Sequence, residues 1–131
     1  MKLKHKLFAI DFDNTIAYDA YPRIGKLIPG AKETMLKIKE LGGSISIWTC
    51  RTGEQEMAVR LFLDKNEIPY DHVNESFEEN RIMYDGDSRK IYADCYIDDR
   101  SVHFGQQPVD WKIVSQLIFK LEESESYDIT F

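Results

Sequence analysis

The sequence predicts an α/β protein, a three-layer Rossmann-like fold with a central parallel sheet and helices on both faces. Two observations carry this reading. Short apolar or β-branched runs alternate with stretches of helical period throughout the 131 residues. The first run, Leu-Phe-Ala-Ile at 7–10, is continuously apolar between charged neighbours, as expected of a strand covered on both faces. The length argues for one domain, 1–131. At 43% hydrophobic residues, the chain can build a core without disulfides or a structural metal.

Each element has its own signal. After the first strand, 15–29 contains Tyr21-Pro22 and Pro29-Gly30 and reads as an irregular or hairpin excursion, a flap over about 14–29. A helix is expected over 31–41, with Ala31, Met35 and Ile38 on one face and Gly42-Gly43 ending it. The alternating Ser-Ile-Ser-Ile-Trp-Thr at 44–49 predicts the second strand. A helix over 53–66 follows, its stripe read from Met57 with Leu61 and Ala58 with Phe62; Pro69 stops it. A third strand is expected at 70–73, a helix at 77–84 and a turn at Asp85-Gly86-Asp87. Strands at 92–97 and 102–104 and a helix over 109–123 complete the pattern. In that helix Trp111, Val114, Ile118 and Leu121 form one stripe, and the acidic tail after Glu122 is expected to fray.

Charge and cysteine usage narrow the function classes. The formal net charge of −6 gives no basic footprint for nucleic acid. Two cysteines, Cys50 and Cys95, do not make a disulfide framework and read as reduced thiols. The apolar run after the basic start is cut at Asp11, too short for a signal peptide. No stretch approaches the ~18 apolar residues of a membrane span, so no membrane association and a cytoplasmic location are expected. A cysteine-phosphatase loop is excluded, because the sixth residue after Cys50 is Glu56 and after Cys95 is Ser101, neither an arginine. There is no Walker loop, no His-Glu-x-x-His and no paired Cys-x-x-Cys.

Ligands of open parallel sheets bind beyond the carboxyl ends of the strands, so the residues there matter most. The first strand runs into Asp11-Phe12-Asp13-Asn14-Thr15, and residues two apart on an extended chain point the same way. Two carboxylates held close require a cation or a proton between them. The second strand ends at Thr49, followed by Cys50 and Arg51; the fourth ends at Asp98-Asp99-Arg100, with Lys90 ahead of it. Carboxylate oxygens suit magnesium. A hydroxyl and a lysine suit a transferring phosphoryl group, and Arg51 is placed to meet a substrate anion or to pair with a carboxylate. His5, His72 and His103 are scattered and read as structural; Trp48 and Trp111 read as core, and Asp94 as a core-polar or loop residue.

The set DFDNT at 11–15, Thr49, Lys90 and Asp98-Asp99, in that order, resembles the haloacid-dehalogenase-like (HAD) hydrolase superfamily over nearly the whole chain. The resemblance implies a strand order of 5-4-1-2-3 and a magnesium-dependent phosphatase. In it Asp11 is the nucleophile that becomes an aspartyl phosphate, and it is a ligand of the metal as well. Asp13 is general acid and base and binds the metal through its carbonyl. Thr49 and Lys90 hold the phosphoryl oxygens. Asp98 ligates Mg2+, with Asp99 as a ligand through water or as a support. Where such lysines are often followed by proline, Lys90 is followed by Ile91, so Arg89 competes for the role. Neither the stretch after the first motif nor that between Thr49 and Lys90 has room for a cap, which implies a capless member of bacterial or phage kind with an open site and, as one option, a homo-oligomer. Alternatives within the same parts list are a phosphotransferase or phosphomutase, a receiver-like domain, and a non-catalytic phosphate-binding relative. The substrate is a phosphorylated compound of unspecified class, with the flap residues Tyr18, Tyr21, Arg23 and Lys26 as contacts.

Overall fold

The computed structural model describes residue 3, residues 5–102, residue 105 and residues 107–128, with backbone alone over 120–128. In chain order its elements are β1 (Leu7–Ile10), β2 (Ala17–Ala20), β3 (Arg23–Leu27), α1 (Ala31–Glu40), β4 (Ser44–Ile47), α2 (Gly53–Lys65), β5 (His72–Val73), α3 (Glu78–Met83), β6 (Cys95–Ile97) and α4 (Trp111–Asp128). Four strands form a parallel sheet in the order β5-β4-β1-β6, while β2 and β3 form a separate antiparallel hairpin. Strand β1 is therefore central, which explains its continuous apolar run. Among the described residues no helix is long and apolar enough to cross a membrane.

Register determines what each face of the sheet carries. Phe8 lies beside Ile45 and Cys95, and Ile10 beside Ile47 and Ile97. This face joins the main core, with Met35 and Ile38 of α1, Val59 and Leu63 of α2, and Trp111, Val114 and Ile118 of α4. The alternate positions are Ala9, Ser46, Tyr96 and His72. They are small or polar, and a thinner layer around α3 covers them. The Phe77 ring meets His72 edge-on at 5.9 Å. The Ser46 hydroxyl donates to the Glu75 carbonyl at 2.7 Å, and the Tyr96 hydroxyl to the Ile91 carbonyl at 2.7 Å. Phe77 and Ile91 are buried here but stand apart from the main cluster.

Several expectations change in detail. Helix α2 buries Val59 and Leu63, whereas Met57 and Leu61 are 58% and 62% exposed, so the stripe that faces the core is rotated from the one read in the sequence. Strand β6 begins only at Cys95. Asp94 is a loop residue whose Oδ2 accepts from the backbone N–H of Lys6 and of Leu7, both at 3.0 Å, securing the start of β1. Asp71 does the same for β4, accepting from Ile45 N–H at 2.7 Å while pairing with Lys39. Helix α4 continues to Asp128, through the stretch expected to fray, and Leu121 has no described side chain. The strand expected at 102–104 includes His103 and Phe104, which lie outside the described residues.

Candidate active site at the carboxyl edge of the sheet

The turn after β1 is built by its own backbone. The carbonyl of Phe12 accepts from the N–H groups of Thr15, Ile16 and Ala17 at 3.1, 2.8 and 3.2 Å. Asn14 adopts φ 61°, a conformation asparagine tolerates. Its Oδ1 accepts from Asp19 N–H at 3.0 Å, and its carbonyl from Val109 N–H at 2.9 Å. The indole of Trp111 donates to the Thr15 carbonyl at 2.6 Å, tying α4 to the same turn. Trp111 packs so close to Gly30 that a Cβ there would lie 2.9 Å from its own Cβ, and Gly30 takes φ 90°; both facts require glycine before α1.

Within this frame three carboxylates converge. Asp11, Asp98 and Asp99 each offer an oxygen, and these all lie within 4.8 Å of one another. Thr15, fully buried, holds two of the three. Its hydroxyl donates to Asp11 Oδ2 at 2.9 Å and its oxygen accepts from Asp99 N–H at 3.2 Å. Burial, and then the Asp98 charge, push the Asp11 carboxyl up to about 8. Asp99 is raised as well, first by its own burial. Protein groups alone thus leave Asp11 and Asp99 reluctant to ionise, and a divalent cation among the oxygens would relieve them. Hard oxygen donors in a compact group are the ligand set that magnesium or calcium takes.

The cluster opens into a cleft of about 590 Å³ that is also lined by Asp13, Asn14, Asp19, Tyr21, Trp48, Thr49, Cys50 and Arg100. Thr49 stands at the end of β4 as expected. Its N–H donates to Asn74 Oδ1 at 2.8 Å, and its Oγ1 accepts from Arg51 N–H at 3.1 Å. Trp48 is half-buried and lines this cleft; the core role expected for it does not hold, because it follows the outermost sheet position on the thinly covered face.

Two expected residues are placed otherwise. Arg51 is not available to a phosphoryl group. Its Nε and Nη2 grip both oxygens of Asp13 at 2.7 Å. The remaining donors reach the Pro22 and Arg23 carbonyls, each at 2.9 Å, and Gln55 Oε1 at 3.0 Å. All five N–H groups of the guanidinium are engaged, and the side chain is 2% exposed. Hydrogen bonding to Asp13 raises its pKa further. Arg51 therefore anchors Asp13 and the β2–β3 hairpin, and Asp13 contributes no side-chain oxygen to the carboxylate cluster. Lys90 does not line the cleft. It is exposed in a neighbouring pocket, with Nζ 5.3 Å above the Tyr96 ring. Among the described residues, the cation lining the cleft itself with an exposed side chain is Arg100, whose N–H is held by Asp98 Oδ1 at 2.9 Å.

Thr15, Asn74, Trp48 and Arg100 line or brace this candidate site, and sequence reasoning assigned none of them to it. Thr15 was signalled by its place four residues after Asp11, and Arg100 by adjacency to the aspartate pair. Asn74 had only its strand-end position.

No protein-family model matches the chain, and no curated protein matches it. A solved structure does: a conserved protein from Bacteroides thetaiotaomicron, 33% identical over 86% of this chain and 88% of that one, with a TM-score of 0.75. The chain belongs to that protein's family. At this identity and TM-score the two chains share one α/β fold.

Proposed function

We propose that this family member is a magnesium-dependent phosphomonoesterase of HAD type, capless and with the sheet order that the resemblance implies, of which β6-β1-β4-β5 is the described part, acting through an aspartyl phosphate on Asp11. The observation that carries the reading is the meeting of Asp11, Asp98 and Asp99 oxygens within 4.8 Å at the open carboxyl end of a parallel sheet. A carboxylate cluster so arranged makes sense with a cation, and an Asp held at the centre of the cleft is a nucleophile that a phosphate ester can reach. Asp11, Asp98 and Asp99 are the residues that hold Mg2+ in this reading. Bound there, the ion supplies charge neutralisation for one anion approaching another.

The chain's own groups then divide the work. Thr15 holds Asp11 Oδ2, which leaves Oδ1 as the attacking oxygen. That oxygen forms the bond to phosphorus as the ester bond to the leaving oxygen breaks. Asp13, ion-paired with Arg51 and with lone pairs left over, takes the proton of the water that hydrolyses the acyl phosphate, while the leaving oxygen takes its proton from solvent. Thr49 and Arg100 line the cleft as partners for the phosphoryl oxygens, the latter in the role first expected of Lys90 or Arg51.

The test is phosphate release from a generic aryl phosphate with magnesium and with chelator. Magnesium-dependent release that falls at least a hundredfold in Asp98→Asn is expected. Release that survives chelation unchanged would contradict the proposal.

A further inference from the structure

The catalytic cleft carries aromatic surface that the chemistry above does not use. The sheet ladder runs one residue past the strand ends. Trp48 N–H donates to the Ile10 carbonyl at 2.8 Å, and Asp11 N–H to the Ile97 carbonyl at 2.9 Å. Ile10 is in register with Ile47 and Ile97, so Trp48, Asp11 and Asp98 form the next row across three adjacent strands. Members of one row emerge on the same face, and all three line the cleft. The Trp48 ring bears this out. It meets Tyr96 at 5.5 Å on the far side of β1, across the small Ala9. Asp11 therefore stands between Asp98 and an indole rooted one strand spacing away, about 4.8 Å. Tyr21 of the β2–β3 hairpin adds a second ring to the cleft. It is 63% exposed and rests on the Arg51 guanidinium at 4.9 Å.

Charge narrows what these rings meet. Asp11, Asp98 and Asp99 form the carboxylate cluster, Asp13 is paired with Arg51, and Asp19 is a further carboxylate on the lining. Arg100 goes to the phosphoryl group, so among the described residues lining the cleft no cation is left for an anionic leaving group. Protonation points the same way. The leaving oxygen takes its proton from solvent, which favours a group that departs as a stable anion. A phenol, with a pKa of about 10, is such a group, and an alkyl alcohol is not. Distance selects further. Trp48 stands beside the nucleophile, within reach of a ring borne directly on the ester oxygen, whereas a sugar holds a nucleobase farther off.

We propose that Trp48 is a specificity-determining residue, and that the substrate is the phosphate monoester of a phenol without a second anionic group. The inference rests on the phosphomonoesterase reading and deepens it. The aryl ring lies against the indole, and the contact of the two rings adds to their burial. As Asp11 Oδ1 bonds to phosphorus, the ester bond breaks with its electron pair on the phenolate, which solvent then protonates.

Phenylphosphonate and ethylphosphonate, whose P–C bonds resist hydrolysis, test the subsite without turnover in an NMR titration of the full chain with magnesium. The chain has two tryptophans, so Trp48→Phe assigns both indole N–H signals. The Trp48 signal should shift saturably with phenylphosphonate, at an affinity about tenfold above that for ethylphosphonate. Equal affinities, or a Trp48 signal that phenylphosphonate leaves in place, would overturn the subsite. In kinetics, Trp48→Ala should lower kcat/KM for phenyl phosphate about tenfold through KM, and Trp48→Phe should keep most of the wild-type value. A loss in kcat alone would count against the contact, and the phosphonate comparison decides even where Trp48→Ala does not fold. Failure of the phosphatase reading looks different: phenylphosphonate would bind and shift Trp48, while phenyl phosphate released no phosphate.

Discussion

Replacing Arg51 by methionine isolates the group on which the hairpin and Asp13 both depend. The substitution keeps an unbranched apolar side chain but removes five donated hydrogen bonds, two of them to Asp13. Removing one partner of a buried ion pair costs ~3–5 kcal/mol, because the other charge is left uncompensated. The Asp13 side chain is 25% exposed, so water takes up part of the loss and the lower end applies. The guanidinium also sits 4.9 Å from the Tyr21 ring, worth roughly 0.5–1 kcal/mol more. The total is about 4 kcal/mol. With an unfolding entropy near 2.1 cal/mol/K per residue, a chain of 131 residues loses ~4 °C of Tm per kcal/mol. Thermal unfolding of Arg51→Met should therefore come ~15 °C below wild type. In a double-mutant cycle with Asp13→Asn, the second substitution should cost much less once Arg51 is gone, giving a coupling of at least ~1 kcal/mol. A Tm loss under ~3 °C, or strictly additive effects, would refute the anchoring role.

Magnesium at 100-fold above its Kd should stabilise the fold by ~2.7 kcal/mol, or ~10 °C in Tm, and Asp98→Asn or Asp99→Asn should abolish most of that increment in the same calorimetric scan. Without metal, stability should fall as pH rises from about 4 to about 8. The Asp11 carboxyl is raised from 3.8 to about 8 in the folded chain, so its contribution is complete below the unfolded value and lost as pH passes the folded one. The magnesium increment should accordingly be larger at pH 8 than at pH 6, and an increment that shrinks with pH would contradict the assignment. Thr15→Val leaves Asp99 N–H buried without its acceptor and removes the donor to Asp11; a loss of ~1–3 kcal/mol is expected by chemical denaturation, together with weaker magnesium binding by calorimetry.

What the sequence disclosed about this site was mainly local. Asp11 and the pair Asp98-Asp99 follow directly from strands, and a short strand dictates where its next residues emerge, so their meeting could be read from order and spacing alone. Arg51 could not be read in that way. Its fate depends on the β2–β3 hairpin folding back far enough to present the Pro22 and Arg23 carbonyls, a tertiary event with no signature near position 51. Lys90 failed for a related reason. Eight positions before Asp98 leaves it beside a loop that runs across the thin face of the sheet, and Tyr96 captures the ammonium there. The buried face of α2 was ambiguous on its own terms. Met57, Ala58, Val59, Leu61, Phe62 and Leu63 offer several i, i+4 rows, and only packing against the sheet selects Val59 with Leu63. The layering itself carried a readable cue. The alternation Ser-Ile-Ser-Ile in β4 puts small polar residues on the face that turned out thinly covered.

The central claim, that Asp11 itself takes the phosphoryl group, is tested most directly by trapping. Borohydride reduces an aspartyl phosphate to homoserine. Protein quenched during turnover of an aryl phosphate with magnesium, reduced and digested, should carry homoserine at position 11 by peptide mass spectrometry. The modification should be absent with chelator and in Asp11→Asn. Homoserine at another aspartate, or none anywhere during confirmed turnover, would contradict the account.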